Sequence, residues 1–335
     1  MSAADAVAFV LFAAILLYAV FGGADFGSGV WDLAAGSAAR GAPLRRLVDH
    51  SIGPVWEANH VWLVFVLVLL WSGFPEPFAL LMRDLGIPFW FAGLGIVARG
   101  AAFAFRKFAA TLTWARTAGI VFAAGSLATP FFLGTIAGAI ASGRVGGAEP
   151  ASSTVWLGPT SILGGVLAVV TCTFMAGTLL AAEAESLGKA TLAEQLRMRS
   201  LIGGGVAGIV VAMGIVVLLA DAPELVDGLL GRALPVVAIS GITGSAAMWL
   251  LWQRRLRSAR LAAGVAVASV VAGWGIAQYP WLLVGEVTIE EGAGAQATLI
   301  GLLVAAGLAL VVVVPPLLYL YSLADTNVIG SEHER

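Results

Sequence analysis

The chain has 335 residues, of which 60% are hydrophobic and 11% are charged, and its mean hydropathy is +0.96. Soluble domains are about 45 to 50% apolar and about 25% charged, so this composition indicates a protein embedded in a membrane. The 11 tryptophans and 42 glycines agree, because both residue types are enriched in membrane proteins. A formal net charge of -2 excludes the basic surface that nucleic-acid binding requires.

Cys172 is the single cysteine, which excludes a disulfide framework, a cysteine-ligated iron–sulfur site and a covalent haem motif. Because it lies in an apolar run, we expect it to pack in the core. The N-terminus lacks the basic region of a secretory signal and runs directly into an apolar stretch. We therefore expect this stretch to remain as the first membrane span.

Nine apolar windows are long enough to cross a bilayer core as helices, which takes about 20 residues each. They are unbroken runs rather than the short alternating strands of a membrane β-barrel, so an all-α polytopic fold is predicted. We expect two four-helix bundles and one peripheral helix. The connections are short and lack linker composition, which predicts a single transmembrane domain over 1–335. The windows are roughly 6–24, 55–73, 82–104, 117–141, 157–182, 201–220, 233–252, 261–282 and 298–321.

Basic residues alternate between the connections, and this alternation predicts the orientation in the membrane. The odd-numbered connections hold thirteen lysines and arginines and the even-numbered ones hold three. By the positive-inside rule, the N-terminus lies outside and the C-terminus lies in the cytoplasm. The basic residues of the odd connections are Arg40, Arg45, Arg46, Arg106, Lys107, Arg116, Lys189, Arg197, Arg199, Arg254, Arg255, Arg257 and Arg260, and those of the even connections are Arg83, Arg144 and Arg232.

Ionisable side chains within the spans are costly and are functional candidates by default. Asp25 lies near the predicted cytoplasmic end of span 1, and Glu57, with Asn59 and His60, lies in the first turns of span 2. Arg99 lies about two turns before the basic end of span 3. Two interpretations are open, a structural ion-pair network and a path for protons along water molecules. We favour the proton path.

His60 has a spacing that also suits metal binding, because it follows Glu57 by three residues on one helical face. A di-metal site would need a second such pair, and a bis-histidine haem would need a second membrane histidine. The other histidines, His50 and His333, lie outside the windows.

Two further classes of site are excluded by the lysines. The glycines around Asp25 lack the lysine of a phosphate loop. No lysine lies in a span, which excludes a retinal Schiff base. We expect His60 to be a hydrogen-bonding member of the cluster and the glycines to mark close helix contacts.

Three features together resemble subunit II of the cytochrome bd quinol oxidases: YAVFGGADFGSGVWDL, SIGPVWEANHVWLVF, and Arg99 followed seven residues later by Arg106. They cover about the first third of the chain and are specific in order and spacing. The resemblance implies a heterodimer in a prokaryotic cell membrane, with a subunit I that holds haems b and d, oxidises quinol and reduces dioxygen to water. It also implies that subunit II supports subunit I and contributes to a cytoplasmic proton path. It leaves open a structural quinone and small accessory membrane subunits.

The resemblance also assigns functional positions within these segments. Glu57 stands where the best-known members have aspartate, and His60 stands where they have glutamine. The first change keeps a carboxylate, whereas the second alters the local hydrogen bonding. We predict a proton path through Asp25, Glu57, His60 and Arg99, and a structural motif of Trp56, Asn59, Trp62 and Arg106.

A secondary transporter is the main alternative function, because buried charges and glycine-rich helices also suit substrate coupling. Against it, the polar residues lie near one membrane face rather than at the midplane, and no pair of broken helices is evident. A purely structural membrane subunit is a third possibility. We expect this chain to perform no redox chemistry alone and to bind no haem or metal of its own, so haem absorption of the purified complex would favour the oxidase.

Overall fold

A computed structural model of the chain describes residues 2–106, 108, 111–147 and 154–325. Lys107 and His333 lie outside the described residues. Within the described part, nine helices are long and apolar enough to cross a membrane, which confirms the predicted all-α polytopic fold. The helices are α1 (Ala3–Leu33), α2 (Ala38–Ile52), α3 (Trp56–Gly73), α4 (Pro75–Arg106), α5 (Leu112–Ala141), α6 (Pro159–Ser186), α7 (Ala190–Asp221), α8 (Pro223–Leu230), α9 (Leu234–Trp252), α10 (Leu256–Gln278), α11 (Gln296–Val312) and α12 (Val314–Asp325). A short 3-10 helix (Val155–Leu157) precedes α6, and strands β1 (Trp281–Leu283) and β2 (Val287–Thr288) follow α10.

The spans pack as two groups of four. In the first group, α1 contacts α3 and α5, and α4 contacts the same two helices; in the second, α6 contacts α7 and α10, and α9 contacts the same two helices. Contacts of α6 with α1 and α5 join the groups, and α11 lies at the edge against α1 and α3. This is the arrangement expected from the number of spans. The direction of insertion stays a prediction from the basic residues.

Helix α1 begins with reciprocal capping and later passes very close to α6. The Ser2 hydroxyl accepts from the Asp5 N–H at 3.1 Å, and the Asp5 carboxylate accepts from the Ser2 N–H at 3.0 Å. Further along α1, a Cβ atom at Gly27 would lie only 1.9 Å from the carbonyl oxygen of Cys172 on α6. Glycine at this position is therefore what allows the two backbones to touch.

Two connections contain more structure than the sequence predicted. The first contains α2, whose Leu44, Leu47, Val48 and Ile52 are buried against the core while Arg40 and Arg46 are exposed. Such a pattern is typical of an amphipathic surface helix. The eighth span ends at Gln278, earlier than predicted, because the chain turns there into the antiparallel β1–β2 hairpin.

The ninth span runs over Gln296–Leu320 and contains a break between α11 and α12. Pro315 and Pro316 follow the break directly. A proline lacks the N–H that would continue the helical hydrogen bonding, which accounts for the interruption. The apolar pattern alone predicted one continuous span here.

Candidate functional site

Asp25 and Arg99 form an ion pair in the interior of the first bundle. The Arg99 Nη2 atom lies 2.5 Å from Asp25 Oδ1, and Nη1 lies 3.3 Å from Oδ2. Their side chains are only 2% and 1% exposed. The pair therefore joins α1 to α4 in a region from which water is largely excluded.

The Arg99 guanidinium has further partners that offset its removal from water. Its Nε donates to the Ser126 hydroxyl on α5 at 2.9 Å, and Nη2 also donates to the Asp25 main-chain carbonyl at 3.2 Å. Its central carbon lies 4.9 Å from the centre of the Phe26 ring and 5.2 Å from that of Phe122. Buried charges are tolerated when their hydrogen-bonding capacity is met in this way. Arg99 consequently ties α1, α4 and α5 together.

A second ion-pair group lies two helical turns further along the same helices. Arg106 pairs with Asp32 on α1 and with Asp49 on α2. Asp32 also accepts from Arg45 Nε at 2.8 Å. Arg106 therefore lies in a network that fixes the end of α4 to α1 and to the amphipathic helix α2.

Side chains at the start of α3 contact both α1 and α4. Asn59 is buried, and its Nδ2 donates to the Phe21 carbonyl on α1 at 3.3 Å. His60 Nδ1 lies 3.4 Å from the Tyr18 hydroxyl, also on α1. Trp56 packs edge-on against Phe103 of α4, with ring centres 5.6 Å apart.

Glu57 is not brought into the buried ion-pair cluster. Its side chain is exposed on the isolated chain, at the first turn of α3. Within the described residues it makes no ion pair, whereas Asp25 and Arg99 are fully engaged with each other. The four residues of the predicted proton path therefore divide into a buried pair, Asp25 with Arg99, and two residues on α3, Glu57 and His60.

Trp62, the last member of the motif, is half-buried. Its Nε1 atom is buried and has no hydrogen-bond partner in the part of the chain that the structure describes. Buried N–H groups in proteins are usually hydrogen-bonded, so this donor marks a place where a water molecule or another subunit would supply an acceptor.

The surroundings of His60 do not fit a haem. The imidazole lies among the rings of Tyr18, Phe26 and Trp56, with ring centres 6.0, 6.2 and 6.4 Å away. A haem ligated by His60 would have to displace these rings, and it would find no second histidine in the spans. Among the described residues, no group of three or more histidine, cysteine, aspartate or glutamate side chains is arranged to hold a metal ion.

Sequence reasoning did not single out Ser126, Asp32 or Tyr18 as members of the site. Ser126 and Tyr18 occur in ordinary apolar runs, and nothing in the sequence marks them. Asp32 had a signal, because it follows Asp25 by seven residues just as Arg106 follows Arg99. Because the two aspartates and the two arginines have the same spacing, each aspartate can pair with one arginine when the two helices are parallel.

Fold and site together define a polytopic membrane protein in which buried charges join the helices of one bundle.

Comparison with known proteins gives the family. Residues 3–324 match the model of the family described as cytochrome bd terminal oxidase subunit II, and the chain belongs to that family. It is 34% identical over 131 residues to the cytochrome bd ubiquinol oxidase subunit 2 of Bacillus subtilis (strain 168), a match that covers 38% of this chain and 39% of that protein. A chain of the bd oxidase from Geobacillus thermodenitrificans shares its fold, with a TM-score of 0.79 at 24% identity over 96% of this chain and 98% of that one. The chain is thus a multi-pass membrane protein of this family, and its match to the Bacillus subtilis relative spans about two fifths of that protein's length.

Proposed function

We propose that this chain is the haem-free subunit of a complex that oxidises quinol and reduces dioxygen to water, and that it helps to take up protons from the cytoplasm. The resemblance assigns haems b and d and the quinol-oxidising site to the partner, subunit I. The lack of fit between His60 and a haem supports that division. A structural quinone and small accessory subunits are further elements that the resemblance allows.

The observation that carries the proton role is the separation of Glu57 from the ion pairs. Asp25 accepts two hydrogen bonds from Arg99, and both side chains are almost completely buried. Glu57 carries no such restraint among the described residues. We therefore assign proton collection to Glu57, relay to His60, and a mainly structural role to Asp25 and Arg99.

The exposure of Glu57 also supports a role at the partner subunit. It begins a span that includes the exposed apolar side chains of Val61, Val64 and Val68. A carboxylate directed at lipid from such a helix is costly, whereas one covered by a second subunit can share water and polar groups with it. Protons collected by Glu57 would then pass to subunit I.

The test compares Glu57→Gln with Glu57→Asp in the assembled complex. Glutamine keeps the shape but cannot titrate, so quinol-dependent oxygen uptake per haem should fall about tenfold or more, since positioned acid–base groups contribute about 10²- to 10⁴-fold to the steps they serve. Aspartate keeps the carboxylate and should retain much of the activity. Glu76→Gln is the matched control, because Glu76 occupies the first turn of α4 and is also exposed.

Normal turnover of the Glu57→Gln complex at full haem content, across pH 6 to 8, would remove the proton role from this residue. A purified complex without haem absorption would contradict the oxidase assignment as a whole and favour the transporter alternative.

A further inference from the structure

Tyr18 and His60 form a polar contact between α1 and α3 within the first bundle. The Tyr18 side chain is only 8% exposed, and its hydroxyl oxygen lies 3.4 Å from His60 Nδ1. Gly22 gives the tyrosine ring its place, since a Cβ atom there would lie 3.1 Å from Tyr18 Cε2. The packing of α1 thus directs one hydroxyl to one nitrogen of the imidazole.

The other ring nitrogen is available for exchange. His60 Nε2 is buried and has no hydrogen-bond partner among the residues described here. A buried polar atom without a partner is costly, so an ordered water or an oxygen atom of the partner subunit is expected at this position. Nδ1 is engaged by Tyr18, and Nε2 is left to exchange a proton.

Aromatic rings and one balanced ion pair surround His60. Three aromatic rings, those of Tyr18, Phe26 and Trp56, surround the imidazole with centres 6.0 to 6.4 Å away. Arg99 lies against the Phe26 ring and would oppose a second positive charge, but its own charge is balanced by Asp25.

His60 also lies between the exposed carboxylate and the interior. Along α3 it is three residues past Glu57, which corresponds to an advance of about 4.5 Å. Tyr18 precedes Asp25 by seven residues on α1, about 10 Å along the helix axis. Given the predicted orientation, this order runs from the cytoplasmic face inward.

We propose that Tyr18 is a positioning residue for proton transfer: its hydroxyl oxygen accepts a hydrogen bond from His60 Nδ1–H and so leaves Nε2 free to take up and release the proton. The inference rests on the proposed proton role of this subunit. A proton leaves a hydronium ion or the Glu57 carboxyl group and forms the N–H bond at Nε2. Release breaks that same bond and passes the proton to the next water, while Nδ1–H stays bonded to Tyr18 throughout.

The first measurement is independent of turnover. In the complex labelled with 15N-histidine, subtracting the NMR spectrum of His60→Gln from that of the unaltered protein isolates the His60 signals. We expect Nδ1 to be protonated in the neutral ring, and we expect the Nδ1–H population to fall in Tyr18→Phe. A neutral ring protonated mainly at Nε2, or a tautomer unaffected by Tyr18→Phe, would overturn the assignment.

The second measurement is oxygen uptake per haem, which reports only on assembled complex. Tyr18→Phe should lower it about three- to tenfold, the range expected from one lost hydrogen bond. The same change made in a His60→Gln background should cause no further loss. Tyr319→Phe is the control, because that tyrosine is 66% exposed on α12.

The outcomes separate the two proposals. Equal losses from Tyr18→Phe in both backgrounds, or no loss in either, would show that Tyr18 does not act through His60. Normal turnover of Glu57→Gln with an intact Tyr18–His60 dependence would instead contradict Glu57 as the collecting group and leave the positioning role standing.

Discussion

Replacing Asp25 with asparagine removes one charge from the most deeply buried ion pair described here. Asparagine has nearly the same shape and can still accept one hydrogen bond, so the packing of α1 should be kept. The Arg99 guanidinium, only 1% exposed, would then remain in the interior without its balancing anion. The experiment therefore measures uncompensated charge rather than altered volume.

The expected cost is about 3 to 5 kcal/mol of stability, the range for breaking a buried pair by removing one partner. Asp32→Asn should cost less, about 1.5 to 3 kcal/mol, which is the contribution of hydrogen bonds to charged groups. In that variant Arg106 keeps Asp49, and its side chain is already 13% exposed. The two variants differ both in depth and in the number of remaining anions, so their difference reports these two effects together.

Thermal unfolding and haem retention of the purified complex provide the assay, with Glu290→Gln, an exposed acid, as the control. The double variant Asp25→Asn, Arg99→Gln removes both charges. It should be more stable than Asp25→Asn alone, because the isolated charge is gone. The reasoning from buried charge is wrong if the double variant loses as much stability as Asp25→Asn and Arg99→Gln lose when added together. It is also wrong if Asp25→Asn costs no more stability than Asp32→Asn.

Three further predictions concern topology, the hairpin and haem. In a Cys172→Ala background, Arg257→Cys should be shielded from impermeant thiol reagents in intact cells and Glu224→Cys should be labelled; the opposite pattern would invert the orientation. Hydrogen bonds from the Thr288 N–H and hydroxyl lower the pKa of the Glu291 carboxyl group, so Glu291→Gln should reduce thermal stability at neutral pH. Because the pKa of Glu291 is lower in the folded state than in the unfolded state, the difference in thermal stability between the unaltered protein and Glu291→Gln should disappear as the pH falls through the folded-state pKa. A stability difference that persists in acid would show that the hydrogen bonds to the Glu291 carboxylate are not its cause. The chain expressed without its partner should show no haem bands in a reduced-minus-oxidised spectrum, and stoichiometric haem in that sample would reverse the assignment.

The number and type of the spans could be predicted because each is a long apolar run, and a bilayer leaves few structures open to such a run. Helix α2 and the β1–β2 hairpin were missed. Both lie in connections, where amphipathic or short alternating patterns are weak against a membrane-protein background. The early end of α10 had the same cause, since Tyr279 to Leu282 are apolar enough to extend the window although the chain turns there.

The site was predictable in its residues but not in its partners. Helical spacing and hydropathy placed Asp25, Glu57 and Arg99 near the same face of the membrane. These patterns could not decide which of the two carboxylates pairs with the Arg99 guanidinium. That choice depends on the rotation of α3 about its own axis. The rotation is set by the bond between Asn59 and the Phe21 carbonyl and by ring packing around His60, both of which are long-range contacts.

The two arginine–carboxylate pairs share one offset, since each arginine lies 74 positions after its aspartate. Sliding α1 against α4 by a helical turn of about 5.4 Å would break both pairs at once and bring neither arginine to a new carboxylate. The two pairs therefore oppose sliding of α1 along α4 by one turn. Helix α3 carries neither pair, and it is held to α1 instead by the Asn59 hydrogen bond to the Phe21 carbonyl and by ring packing around His60.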